Sequence, residues 1–67
     1  MANLSKLRRA RLAVGLSIDD LAQAVGVAVS TISTWENGVS SPSAKRIPKL
    51  AEALKVPPEA VLDMLSA

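Results

Sequence analysis

A chain of 67 residues with no Cys, His, Tyr or Phe, 49% hydrophobic and with a net charge of +2, has room for one domain and few reagents for chemistry. Its eight serines have no imidazole to activate them and its six carboxylates fall at no metal-ligand spacing, so the chain is expected not to be an enzyme and to need no metal or cofactor. The hydrophobic fraction excludes disorder, and no run approaches the roughly 20 apolar residues of a membrane span or the core of a signal peptide, so a soluble, cytoplasmic domain is expected, with no membrane partner.

Asn3 is placed to cap a first helix in which Leu4, Leu7, Arg11 and Val14 recur at helical spacing, Leu12 broadens the apolar face, and Gly15 ends the segment. Ser17, with Asp20 three residues on, forms a short capping box for a second helix. Leu21, Ala22 and Val25 share one face of it before Gly26 closes it. A third segment, Ala28 to Glu36, ends at Asn37-Gly38. Local propensity opposes a helix there, because Val27, Val29, Thr31, Ile32 and Thr34 are β-branched. No second strand candidate exists to pair with it, however, and Ile32 with Trp35 stands at helical spacing, so a helix held by tertiary packing is predicted.

After a polar loop, Ser43 can cap a fourth helix running to Leu54, with Ile47, Leu50, Ala51 and Leu54 inward. Pro48 falls near the fifth position of that helix, where its ring crowds the preceding turn, and a tightened or distorted start is predicted. Pro57-Pro58 forces a break, and Pro58 opens a fifth helix carrying Val61, Leu62, Met64 and Leu65. The fold expected is all-α: a compact bundle of five short helices forming one domain over residues 1–67.

The small net charge hides a pattern. Lys6, Arg8, Arg9 and Arg11 form one basic block and Lys45, Arg46 and Lys49 another, with Asp19, Asp20 and Glu36 between them. If folding brings the two blocks to one side, the local field exceeds what +2 suggests. Two short helices joined by a tight turn at Gly26, with the small Ala22 at their crossing, have the layout of a helix-turn-helix over residues 17–37.

The wider string is more specific. LRRARLAVGLS leading into DDLAQAVGV, then STISTWENG, then PS and KLAEALKVP, resembles the phage repressor and Cro-like (XRE) family of helix-turn-helix regulators, in one register from Leu7 through Leu62. The resemblance implies a lambda-repressor-like domain in which helices two and three read double-stranded DNA, and a homodimer, formed in solution or only on DNA, on a two-fold symmetric operator. Repression is the regulatory role expected, with no small-molecule ligand.

Carried over residue by residue, the resemblance places Ala28, Val29, Ser30 and Thr34 at base edges in the major groove. Hydroxyls serve almost any base and Val29 can press on a thymine methyl, but no Arg, Asn or Gln is present there, so direct readout should be soft and lean on DNA shape. Phosphate contacts are implied for the backbone amides of Ile18 and Asp19 behind Ser17, for Gln23, for Thr31 and Asn37, and for Lys45 and Arg46. Lys6, Arg8 and Arg9 are weaker candidates. Arg11 and Glu36 are implied to pair structurally, neutralising a carboxylate that would otherwise repel phosphate. Val61, Leu62, Met64 and Leu65 exceed what one face of a short helix needs inside and mark a candidate dimer surface.

Four positions depart from the family pattern. Ile18 replaces a polar residue, often Gln, so only its amide can meet phosphate; Ala28 stands at the capping position of the third helix; Lys55 stands where Gly is common; and Pro57 stands where Ser or Thr often caps the fifth helix. Together they suggest a marginally stable domain whose recognition helix firms up on DNA. A different class of function also fits. The uncharged stretch from Ala24 to Trp35 could dock a protein as readily as a groove, making the chain an interaction module such as an antitoxin or a regulator's partner.

Overall fold

A computed structural model describes residues 5–65, and these form α1 (Lys6–Ala13), α2 (Ile18–Val25), α3 (Val29–Glu36), α4 (Ile47–Leu54) and α5 (Pro58–Leu65), with no strand among them. Each helix has eight residues, short of the roughly 12–15 that sustain a helix alone in water, so all five depend on the core they share. That core is Leu7 from α1, Leu21, Ala22 and Val25 from α2, Ile32 and Trp35 from α3, Ile47, Leu50, Ala51 and Leu54 from α4, and Val61 from α5. Helix α2 packs on both α3 and α4, α4 packs on α5, and α1 closes the bundle against α3 and α5. None of the helices is long and apolar enough to cross a membrane.

The β-branched third segment is helical. Ile32 and Trp35 turn into the core, and the gain from burying them outweighs a propensity deficit of a few tenths of a kcal/mol at each β-branched position. Its tight link to α2 depends on Gly26, which takes φ +84° and donates its amide to the Ala22 carbonyl at 2.8 Å, with the Val27 amide reaching the same oxygen at 3.0 Å. A side chain at that φ would be strained, although the space beside Gly26 is open enough to admit a Cβ.

Several boundaries move from the sequence-based expectation. Asn3 and Leu4 lie outside the described residues; the cap of α1 is Ser5, whose hydroxyl accepts the Arg8 amide at 3.1 Å. Leu12 does not broaden a buried face: it is 50% exposed, because the inward position one turn after Leu7 is taken by Arg11. Helix α3 begins at Val29, with Ala28 in extended backbone as an N-cap that supplies no side-chain acceptor. Helix α4 begins at Ile47 and not at Ser43. Residues 44–46 make a turn closed by the Arg46 amide on the Ser43 carbonyl at 2.9 Å. Pro48 explains the shift: it falls in the first helical turn, where its missing N–H leaves no hydrogen bond unmade. Lys55 ends α4 in the left-handed region (φ 58°, ψ 42°), the one non-glycine residue with positive φ among those described.

Candidate nucleic-acid interface

The start of α2 is a complete capping box. The Ser17 hydroxyl accepts the Asp20 amide at 3.0 Å and the Asp20 carboxylate accepts the Ser17 amide at 3.2 Å. Hydrogen bonding to the carboxylate from Ser17, by its amide first and by its side chain second, holds Asp20 below the usual carboxylate range. The box engages the amides of Ser17 and Asp20, which leaves those of Ile18 and Asp19 as the donors available at the positive end of the helix. Ile18 turns its side chain onto the core, so its amide is what it can offer a ligand, while Asp19 and Gln23 are exposed.

Across the Gly26 turn, Ala28, Val29 and Ser30 stand exposed together at the entrance to α3. Thr34 does not join them as a free reader. Its hydroxyl donates to the Thr31 carbonyl at 2.8 Å, and because its one proton is spent there, it accepts from the Ser40 hydroxyl, also at 2.8 Å. The Thr34 carbonyl in turn receives the amides of Val39 at 2.9 Å and Ser40 at 3.3 Å. Thr34 is thus the clasp that folds the loop after α3 back onto the helix, leaving its methyl as the part with no internal hydrogen-bonding duty. Thr31 is half-buried, and Asn37, exposed, closes α3 as its C-cap.

The two cations before α4 differ. Lys45 is exposed, whereas Arg46 is half-buried and donates from Nη1 to the Val25 carbonyl at 3.2 Å, the last residue of α2. One arm of Arg46 therefore ties the α4 entrance to the end of α2, and only its other donors can serve phosphate. Lys6, Arg8 and Arg9 are exposed on α1.

Behind this surface, Arg11 is the keystone. Its Nε donates to Glu36 Oε2 at 2.7 Å and its Nη2 to Oε1 at 3.5 Å, while Nη1 donates to the Leu16 carbonyl at 2.9 Å. Both side chains are more than nine-tenths buried, so the pair joins α1 to the end of α3 with little screening by water. The Glu36 carboxylate is thereby neutralised within the protein.

The surface at the end of the chain is not as the four apolar residues of α5 suggest. Val61 is fully buried and belongs to the core, so it contributes nothing to a dimer surface; Met64 and Leu65 are half-buried against the core, and Leu62 is 56% exposed. Leu62 and Leu65 instead line one side of an apolar groove of about 470 Å³ whose other side is Pro42, Ala44, Ile47 and Pro48. The contribution of the α3–α4 loop and the α4 start to this groove carries no signal in sequence spacing, since it is made by chain segments some twenty residues apart.

A family model described as helix-turn-helix matches residues 7–61. Among solved structures, the restriction-modification controller protein C.AhdI from Aeromonas hydrophila is similar, with 37% identity over 85% of this chain and 86% of that one and a TM-score of 0.78. No curated protein is significantly similar.

Proposed function

This chain belongs to the helix-turn-helix family, of the phage repressor and Cro-like (XRE) type, and on that premise we propose that it is a sequence-specific, double-stranded-DNA-binding transcriptional regulator. It acts as a repressor, in the cytoplasm, as a homodimer on a two-fold symmetric operator, and residues 1–67 serve as one DNA-binding domain. The observation that carries the reading is the pairing of two surfaces by the Gly26 turn: unengaged amides at the start of α2 and an exposed, chargeless entrance to α3. The first suits phosphate and the second suits base edges in the major groove. Similarity to a restriction-modification controller supports a regulatory role.

In this account the amides of Ile18 and Asp19, together with Gln23, Thr31, Asn37 and Lys45, position the protein on the backbone; Arg46 does so with the donors it does not spend on Val25. Ala28, Val29 and Ser30 face bases. The groove beside Leu62 and Leu65 receives the second protomer, which adds the phosphate contacts that a protomer of such low net charge lacks. Fluorescence anisotropy on labelled duplex DNA over a salt series tests this. A dimer whose protomers each make about four to six phosphate contacts gives a slope of roughly −7 to −11 in log affinity against log salt. A flat response, or no binding at low salt, would instead favour a protein-docking module.

A further inference from the structure

The entrance of α3 has an unusual chemistry for a base-reading surface. Four large hydrophobic side chains are exposed among the described residues, Leu12, Val29, Val39 and Leu62, and Val29 alone of these lies within the helix-turn-helix, 39% exposed in the first turn of α3. From Ala24 to Trp35 the chain holds no charged side chain and no carboxamide. Thr34 has committed its hydroxyl to Thr31 and Ser40, so the exposed functional groups left at this entrance are the methyls of Ala28 and Val29 and the hydroxyl of Ser30.

The major groove offers one feature on which an apolar side chain gains by contact, the methyl group on C5 of a pyrimidine. We infer that Val29, in the DNA-bound state proposed above, is a reader of pyrimidine C5 methyl groups, and that it accepts 5-methylcytosine as it accepts thymine. Thymine differs from 5-methylcytosine in the groove by presenting the O4 acceptor in place of the N4 donor. Ser30, next in the chain, has a hydroxyl that serves either. Nothing at this entrance therefore separates the two methylated bases, whereas the loss of the methyl removes the contact. The operator's affinity for the protein thus responds to cytosine methylation, and the regulator's site doubles as a sensor of it.

The probe is a duplex recovered by selection from random DNA, remade with uracil for each thymine of the half-site in turn. At the position that responds, cytosine–guanine and 5-methylcytosine–guanine versions are also made. Thymine is expected to outbind uracil about fourfold for each half-site, the ratio that corresponds to burying one methyl group. The 5-methylcytosine duplex outbinds the cytosine duplex by the same factor. In Val29→Ser, with folding checked by its circular dichroism melt, both ratios fall to one. Equal affinity of the wild type for all four duplexes overturns the inference and leaves the DNA-binding reading standing. Ratios that survive in Val29→Ser overturn the assignment to Val29. Failure to bind any duplex at low salt overturns the DNA-binding reading itself, and the inference with it.

Discussion

Glu36→Ala separates stability from contact chemistry more cleanly than any other substitution in this protein. The wild-type carboxylate takes two hydrogen bonds from Arg11, and both side chains are more than nine-tenths buried. Removing the acid leaves a guanidinium buried with only the Leu16 carbonyl as partner, a loss of about 3–5 kcal/mol for a broken buried pair. A domain of this size has about 3–10 kcal/mol in total, so the variant should fall to the edge of folding, with Tm lowered by at least about 12 °C. Circular dichroism melts measure this directly. DNA affinity, taken at a temperature where both proteins remain folded, should change far less, because the carboxylate is engaged inside the protein. The double variant Arg11→Met with Glu36→Leu should regain most of the lost stability, since an apolar pair of similar volume needs no partner for a stranded charge. A Glu36→Ala protein that melts like wild type but does not bind DNA would refute this account of the pair.

Four further outcomes are expected. Lys55→Gly relieves a left-handed side chain at the end of α4 and should stabilise the domain by about 0.5–1 kcal/mol after the glycine's greater freedom in the unfolded chain is subtracted; a lower urea midpoint would count against it. Asp20, held below its ordinary value of 3.8 by Ser17, contributes stability that is present in full above that value and is lost as pH falls through its lower folded value. The gap in urea midpoint between wild type and Asp20→Asn should therefore be open at neutral pH and close in strong acid, and a constant gap would contradict the capping role. Asp19 places an exposed carboxylate beside the amides proposed to meet phosphate, so Asp19→Asn should tighten DNA binding by about fivefold at low salt and by less at high salt. Leu62→Glu places a charge in the apolar groove proposed to receive the second protomer and should reduce the protein sedimenting with a two-site operator duplex from two protomers to one, without lowering Tm appreciably.

What could be read in advance follows from how local each signal is. The capping box of Ser17 and Asp20 and the turn at Gly26 are set by neighbours three or four residues apart, and both stand in the structure where spacing puts them. Five helices with α2 and α3 at the centre are likewise visible in apolar periodicity. The start of α4 is not, because Ser43 is a competent cap and only the intolerance of Pro48 for an interior position moves the helix to Ile47. On α1 the count of apolar residues fails at Leu12 alone, which faces water, while Arg11 stands in the inward row where helical spacing puts it, with its ion-pair partner 25 residues away. On α5 the same counting cannot tell Val61, sealed in the core, from Leu62 beside it. At the candidate interface, the clasp between Thr34 and Ser40 and the bond from Arg46 to Val25 depend on how loops return to the helices. The family resemblance implies DNA contacts for Thr34 and Arg46, and the fold shows that each also has a hydrogen-bonding duty inside the protein.

Selection of bound sites from a random duplex library shows whether this small domain of low net charge reads duplex DNA as a pair. The expected outcome is enrichment of one two-fold symmetric motif whose half-sites are centred about 34 Å apart, one helical turn, with soft preferences inside each half-site. A library that emerges unenriched at low salt, or enriches a single asymmetric site bound by one protomer, would contradict it.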